Sequence, residues 1–280
     1  MARRKSTIKN LVVIGDTHCG SKVGLCPPGG VKLLDGGTYK PSKFQTRIWR
    51  CWRYFWREWV PKKTKGEPFT LVINGDAHDW DHHGTATIIS KQTADHLRCA
   101  KAVLGPVAAL ADRVLVASGS RAHSGEQGEA EESLAEFLGA EVDEMGRTAR
   151  YEMWVEVGRA LCHIAHTIGS TSSASYETTA VHKELIDAFT ESGMWQKRAP
   201  NFVIRSHRHR YCKTTIPAEM GDAESVVTPG WQGKTPFIYR TARGRSAPAQ
   251  VGGVLIRSGA DGEVYELHKV WSMDRPKVVR

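Results

Sequence analysis

Five short apolar runs of this chain are each followed by an aspartate or a histidine, and this pattern limits its fold more than any other. The runs are rich in β-branched residues, as buried strands are. They span residues 11–16, 70–76, 113–119, 160–166 and 201–207. Helical patterns separate them at residues 43–60, 90–111, 126–138 and 176–192. Strands that alternate with helices indicate an α/β fold.

After residue 212 the pattern changes to strands alone. These strand patterns lie at residues 224–230, 252–258 and 264–271, and no internal repeat divides the chain. Because 40% of the residues are hydrophobic, the chain can bury a sizeable core. We therefore expect one domain over residues 1–280, with its core at residues 10–271. Residues 19–42 are rich in glycine and proline and predict a long loop beside the first strand, where loops are often functional.

Composition limits the location and the partners of the protein. The basic start of the chain lacks the apolar stretch of a secretory signal, and no apolar run approaches the roughly 20 residues of a membrane span. Six scattered cysteines without a CxxC pair favour a reduced, cytoplasmic protein with no membrane partner. A net charge of +9 has two interpretations, a polyanionic partner such as nucleic acid or simple solubility.

The helix predicted at residues 43–60 alternates aromatic and basic residues, which can mark a protein that binds single-stranded nucleic acid. On a helix, however, the two kinds separate, because successive residues are turned by about 100°. The aromatic side chains fill one broad arc, and the opposite arc holds Arg47, Arg50, Arg53 and Arg57. We interpret this segment as a core helix with a solvated arginine face.

The ends of the five strands carry groups that bind metals. Two of them have the spacing D-x-H or H-x-H, at Asp16 and His18 and at His207 and His209, so that both side chains of a pair point the same way. Parallel strands bring their carboxyl ends to one edge of a sheet, where these groups can converge. Carboxylates and imidazoles without thiolates suit Mn²⁺, Fe, Zn²⁺ or Ni²⁺. Six or more ligands fit two ions about 3.5–4 Å apart better than one.

The order of these motifs resembles the calcineurin-like metallophosphoesterase family. D-x-H, G-D-x-x-D, a third-strand loop with histidine, a strand-end histidine and H-x-H follow one another, and VVTPGWQG at residues 226–233 resembles the Pro-Gly turn of that family. The resemblance covers residues 10 to 270 and implies a four-layer αββα sandwich, with mixed sheets and a metal site at strand carboxyl ends. A looser likeness links the chain to phosphoesterases of tailed phages and prophages, whose third motif is similarly lengthened.

The resemblance also implies a role for each matching residue. Asp76 corresponds to the carboxylate that bridges two ions, and Asp79 to an acid that orients the catalytic His123. The family's ligands of the first ion correspond here to Asp16, His18 and His209. Its ligands of the second ion correspond to His166 and His207. His163 is the alternative to His166, which we prefer because it lies nearer the strand end.

The third-strand loop departs from the family pattern. The family has Gly-Asn-His there, whereas this chain has Gly-Ser-Arg-Ala-His at residues 119–123. The asparagine that binds the second ion is absent, and we expect Ser120, a water or a neighbouring histidine in its place. This departure puts the affinity of the second ion in doubt. The second motif carries extra polar residues, which we expect to be exposed or to face the substrate: His78, Asp81, His82 and His83.

The resemblance implies hydrolysis of phosphate esters by a hydroxide that bridges two divalent transition metals, with Mn²⁺ the first choice. Nearby cations, Arg121 or Arg208, would offset phosphoryl charge, and His78 is a further candidate for metal or substrate. The basic charge favours a phosphodiesterase or nuclease acting on nucleic acid or nucleotides. Alternatives are a phosphomonoesterase for nucleotides or phosphoproteins, a catalytically weak metal-binding scaffold, and a nucleic-acid-binding module with incidental histidines.

Overall fold

A computed structural model describes residues 8–80, 87–124, 128–169, 176–218, 221–241 and 248–273. The helices are α1 (Lys43–Tyr54), α2 (Val60–Thr64), α3 (Thr93–Ala108), α4 (Arg121–Ser124), α5 (Glu129–Phe137), α6 (Glu177–Met194) and α7 (Pro236–Thr241). A π-helical segment, Phe55–Trp59, joins α1 to α2, so the helix predicted at residues 43–60 is interrupted near its end.

The first sheet has six strands in the order β13-β12-β1-β4-β5-β6. Its strands are β1 (Asn10–Ile14), β4 (Thr70–Asn74), β5 (Arg113–Ala117), β6 (Ala149–Arg150), β12 (Gln250–Ser258) and β13 (Val264–Ser272). The strands β1, β4, β5 and β6 run parallel, while β12 is antiparallel to both β1 and β13. The carboxyl ends of β1, β4 and β5 therefore share one edge.

The second sheet has five strands in the order β10-β11-β9-β8-β7. Its strands are β7 (Glu152–Val157), β8 (Ala160–Ala165), β9 (Phe202–Arg205), β10 (Cys212–Ile216) and β11 (Ala223–Val227). Here β8, β9 and β11 run parallel, and the two edge strands are antiparallel to their neighbours. A small hairpin of β2 (Val31–Lys32) and β3 (Thr38–Tyr39) lies in the segment predicted as a long loop.

Four layers follow from the alternation of side chains along the strands. On β1, Leu11 and Val13 face the second sheet and join its apolar residues, whereas Val12 and Ile14 face the helices. The aromatic arc of α1 and the π-helical segment packs with α3 on that outer side. Helix α6 covers the outer face of the second sheet through Val181 and Leu185. The molecule is an αββα sandwich with mixed sheets, which confirms the predicted fold class.

The five strand ends do not share one sheet edge, contrary to the expectation from the sequence. The chain makes a hairpin at Gly158 after β7, rather than a helical crossover, and so begins a second sheet. The segment Glu152–Val157 alternates exposed and buried residues, a period-two signal that the sequence analysis overlooked. The two sheets face each other, so the ends of β8 and β9 still reach the edge formed by β1 and β4.

The arginine face of α1 and the π-helical segment is solvated, as interpreted. Arg50, Arg53 and Arg57 are exposed, while Trp52 and Phe55 are buried against Trp231. All six cysteines are free. Within the described residues, every helix is too short or too polar to cross a membrane.

Candidate metal centre

The candidate centre lies where the ends of four strands from both sheets meet. The turns after β1 and β4 are joined by backbone hydrogen bonds, from Asp16 N to Gly75 O and from His18 N to Asp76 O, each 3.0 Å long. In the second sheet Ser206 N donates to His166 O at 2.9 Å. Each strand therefore delivers its polar residue at a position fixed by neighbouring backbone.

Strained backbone is concentrated at this centre. Seven non-glycine residues in the described part of the chain have positive φ, a conformation that side chains usually avoid. Five of the seven are Asp16, His18, Asp76, His207 and His209, with φ between 42° and 69°. Such strain persists only where the surroundings impose it, and it gathers at functional sites.

A buried network of polar side chains, which the sequence analysis missed, links the strand ends that carry the centre. Asn74 Nδ2 donates to Ser206 Oγ at 2.8 Å and to Ala165 O at 3.1 Å, and Ser206 Oγ lies 2.7 Å from Thr228 Oγ1. His166 Nδ1 lies 2.7 Å from the carbonyl oxygen of Asn74, so Nδ1 carries the proton and Nε2 faces the centre. The only sequence signal was a polar Asn74 inside an otherwise apolar run.

Two glycines leave room for the ligands. A Cβ on Gly75 would meet the ring of His166, and Gly75 itself has φ +74°. A Cβ on Gly119 would meet the backbone and the carboxylate of Asp76. Only glycine allows these loops to approach so closely.

The first ligand group consists of Asp16, His18 and His209. The Nε2 atoms of the two histidines are 3.0 Å apart, and Asp16 Oδ1 lies 3.1 Å from His209 Nε2 and 3.9 Å from His18 Nε2. Asp16 and His18 are buried, while the side chain of His209 is 24% exposed. Three ligand atoms from the ends of two sheets therefore converge on one point.

The second ligand group consists of Asp76, His166 and His207. His166 Nε2 is 3.1 Å and His207 Nδ1 is 3.9 Å from Asp76 Oδ2. Asp76 also groups with His18 and His123, so it lies between the two ligand groups. The structure places His166 at the centre, whereas His163 lies on the outer face of its sheet and stacks on Trp154.

These residues fit two divalent ions. Ligands about 2.1 Å from an ion lie about 3.0–3.4 Å apart, close to the shorter distances of both groups. Asp16 Oδ1 and His166 Nε2 are buried, and each lies 3.1 Å from an oppositely charged group but makes no well-formed hydrogen bond among the described residues. Buried polar atoms without well-formed hydrogen bonds are costly, and a cation would satisfy both. The donor set of oxygen and imidazole nitrogen suits a borderline transition metal.

The electrostatics of the centre favour positive charge. Burial opposes ionisation of Asp76, yet the neighbouring imidazole of His166 outweighs it and holds the pKa of Asp76 well below its ordinary value. Burial likewise disfavours a charged His166, but Asp76 raises the pKa of His166 to about 10. Burial and the nearby His123 and His209 lower the pKa of His18 to about 3, so His18 is neutral, whereas a metal at the second group would have to displace the proton of His166.

The loop after β5 supplies a hydroxyl and an imidazole to the centre. Ser120 N donates to Asp76 Oδ1 at 2.7 Å, and Ser120 Oγ lies 3.1 and 3.2 Å from the two oxygens of that carboxylate. His123 sits in α4, and its Nδ1 is 2.9 Å from Asp79 Oδ1. Burial lowers the pKa of His123, but the hydrogen bond to Asp79 and the charge of Asp76 raise it overall.

Two other polar residues predicted near the centre, His78 and Arg121, differ in burial. His78 is buried rather than exposed, because the chain beyond Asp76 continues to pair with residues 18–19 and turns the ring inward, near His96. It belongs to no candidate ligand group in the described part of the chain. Arg121 is exposed on α4. Asp81, His82 and His83 lie outside the described residues.

Arg208 is held in place by backbone carbonyls. Its guanidinium donates to Glu177 O at 3.0 Å and to Gly169 O. The side chain also lines a cavity beside His207 and His209. Arg205 is 5% exposed and pairs with Glu184 at 2.9 Å. The basic surface near the centre is therefore smaller than the sequence suggests.

Comparisons with known proteins give only distant similarities. No protein-family model matches the chain, and no curated protein matches it. Among solved structures, Vps29 from Chaetomium thermophilum is 10% identical with a TM-score of 0.38, and the match covers 96% of this chain and 100% of that one. A metallophosphoesterase from Sphaerobacter thermophilus is 8% identical (TM-score 0.37; 95% and 89% covered). The sulfate thiohydrolase SoxB from Thermus thermophilus is 10% identical (TM-score 0.40; 97% and 58% covered). At such TM-scores these similarities carry no argument about function.

Proposed function

We propose that this protein is a phosphoesterase that uses two divalent metal ions to hydrolyse phosphate esters. The observation that carries the proposal is the joint arrangement of two ligand groups around Asp76 with the pair of His123 and Asp79 beside them. The order of the sequence motifs, which resembles calcineurin-like metallophosphoesterases, supports the same chemistry.

The two ligand groups would hold one ion each, with Asp76 between them. Ions held there supply a water-derived nucleophile near neutral pH and offset negative charge on the phosphoryl oxygens. Mn²⁺ is our first choice, because carboxylate and imidazole ligands suit it. The protein itself provides a rigid frame: strained backbone and the Asn74 network fix the ligands before substrate arrives.

His123 has the position of a general acid, and its acidic neighbours favour the protonated ring. Its Nδ1 is engaged by Asp79, which leaves Nε2 to carry a proton to the departing oxygen. The side chain is 19% exposed, so a substrate can reach it. Asp79 acts as a positioning residue, because its carboxylate fixes the tautomer and favours the charged ring; burial opposes its ionisation, but the hydrogen bond to His123 lowers the pKa of Asp79 to about 2.

Ser120 stands where the family resemblance implies an asparagine. Its hydroxyl oxygen lies beside Asp76, within the space of the second ligand group. We propose that this oxygen, or a water bound to it, completes the second ligand set. A weak second site would favour the alternative of a metal-binding scaffold with little catalysis.

We further propose a phosphodiester in nucleic acid or a nucleotide as the substrate. The net charge of +9 and the cations near His207 support a polyanion. A phosphomonoester is the alternative substrate. The likeness of the lengthened third motif to phage enzymes leads us to propose a phage-type member.

The experiment uses small aryl substrates with the protein supplied with Mn²⁺. We expect hydrolysis of bis-para-nitrophenyl phosphate to exceed that of para-nitrophenyl phosphate. Asp76→Asn should remove this activity without loss of the folded state by circular dichroism. Asp187→Asn, an exposed change on α6, is the matched control and should retain activity. Full activity of Asp76→Asn refutes the proposal, and a strong preference for the monoester refutes the diester assignment.

A further inference from the structure

A small cavity opens directly beside the two ligand groups, on the side of the H-x-H segment. Its volume is about 180 Å³, and both His207 and His209 line it. Residues 232–234, Ile238 and Pro248 also line it. Sites for whole drug-sized ligands occupy about 300–1,000 Å³, so this cavity suits one group of a larger substrate.

The polar wall of this cavity is cationic. Arg208, Arg210 and Lys234 line it, and no carboxylate does so in the part of the chain that the structure describes. Arg210 pairs with Glu177 at 3.0 Å, behind the wall. Burial and the charge of Arg210 lower the pKa of Lys234. Cations that line a cavity together favour an anionic ligand.

The remaining wall is apolar and partly open. Ile238 is 40% exposed, and Pro248 and Ala249 lie beside it. Lys234 Nζ also lies 5.5 Å from the ring centre of Tyr239, which is 58% exposed. Cations that alternate with apolar and aromatic side chains are typical of sites that bind the phosphate and the base or sugar of one nucleotide.

We infer that this cavity is a subsite for the nucleotide next to the scissile phosphate of a nucleic-acid strand. Lys234 and Arg210 contact the neighbouring phosphate, while Ile238 and Pro248 contact its sugar or base. The inference rests on the proposed function, since the scissile phosphate lies at the ligand groups. Lys234 is then a specificity-determining residue, one that a small aryl ester cannot use.

The experiment compares Lys234→Gln with Lys62→Gln, an exposed charge change on α2 outside the cavity. For each variant and the wild type, kcat/KM with Mn²⁺ is measured on bis-para-nitrophenyl phosphate and on a short single-stranded oligonucleotide. We expect Lys234→Gln to lower the ratio of oligonucleotide to aryl ester about tenfold, mainly through KM, and Lys62→Gln to keep it. Loss of one phosphate contact should also reduce the salt slope for the oligonucleotide by about 0.7.

The outcomes separate the subsite from the proposed function. An unchanged ratio in Lys234→Gln, or an equal fall on both substrates, overturns the subsite. If the wild type hydrolyses neither substrate, the proposed function fails, and anisotropy of the labelled oligonucleotide decides the subsite alone. In that case weaker oligonucleotide binding by Lys234→Gln than by Lys62→Gln supports the subsite, and equal binding by the two variants overturns it.

Discussion

The two ligand groups use the same residue types but lie at different depths. The outermost side chain of the first group, His209, is 24% exposed, whereas that of the second group, His207, is 43% exposed. The second group also has Ser120 where an asparagine is implied by the family resemblance. From this difference we expect the proposed first site to hold its ion more tightly than the proposed second site.

One turn accounts for much of the difference. Trp231 N donates to Asp16 O at 2.9 Å, and a Cβ on Gly230 would lie 3.0 Å from the ring of His209. The turn therefore packs directly against the first group. The side chain of His207, two residues before His209, is more exposed. A symmetric motif can thus build two unequal sites, because the surroundings differ.

The largest effect is expected from removing the buried carboxylate of the first group. Asp16→Asn takes away the charge that holds the tight ion, so hydrolysis should fall to background. Elemental analysis should show loss of that ion as well. If Asp16→Asn loses only the exchangeable ion, our ordering of the two sites is wrong.

A second change leaves both ligand groups intact and tests the proton donor. His123→Gln should lower kcat on a diester with an alkyl leaving group by about 10²–10⁴-fold while both ions stay bound. The loss should be smaller for a substrate with a very acidic leaving group, which needs no proton. An equal loss on every leaving group would assign His123 to metal binding instead.

Much of this account could be predicted from the sequence, for reasons that individual residues illustrate. Asp16, Asp76 and His166 end apolar runs, and such local patterns survive folding. Long-range geometry could not be predicted: the hairpin at Gly158 divides the strands between two sheets, and burial of His78 depends on pairing with a distant turn.

The cavity beside the centre escaped the sequence analysis for a similar reason. Lys234 follows the last motif in an unremarkable loop, and only the fold brings it beside Arg210. Ser206 and Asn74 are ordinary polar residues until the two sheets face each other. Contacts between residues far apart in sequence leave no periodic signal in a single chain.

A smaller effect is expected at the exposed end of the second group. His207→Ala should weaken the second ion on the order of tenfold or more, and added Mn²⁺ should restore much of the activity. Retention of the tight ion in the same preparation is the internal control. If no concentration of Mn²⁺ restores activity, His207 acts on the substrate rather than on the second ion.

The smallest effect, and the only gain, is expected from Ser120→Asn. A side-chain amide at this position supplies the ligand that the chain lacks, so the second ion should bind about tenfold tighter, or about 1.4 kcal/mol. Ser120→Ala is the matched control and should weaken the same ion. If the affinity for the second ion is unchanged in both variants, Ser120 does not contact that ion.

Titration of the metal-stripped protein with Mn²⁺ tests whether the two ligand groups bind two ions of unequal affinity. Calorimetry counts the binding events while hydrolysis of an aryl diester is followed in parallel samples. Our account predicts two events of unequal affinity, with activity appearing as the second site fills. Absence of Mn²⁺ binding, or full activity after one equivalent, would contradict it.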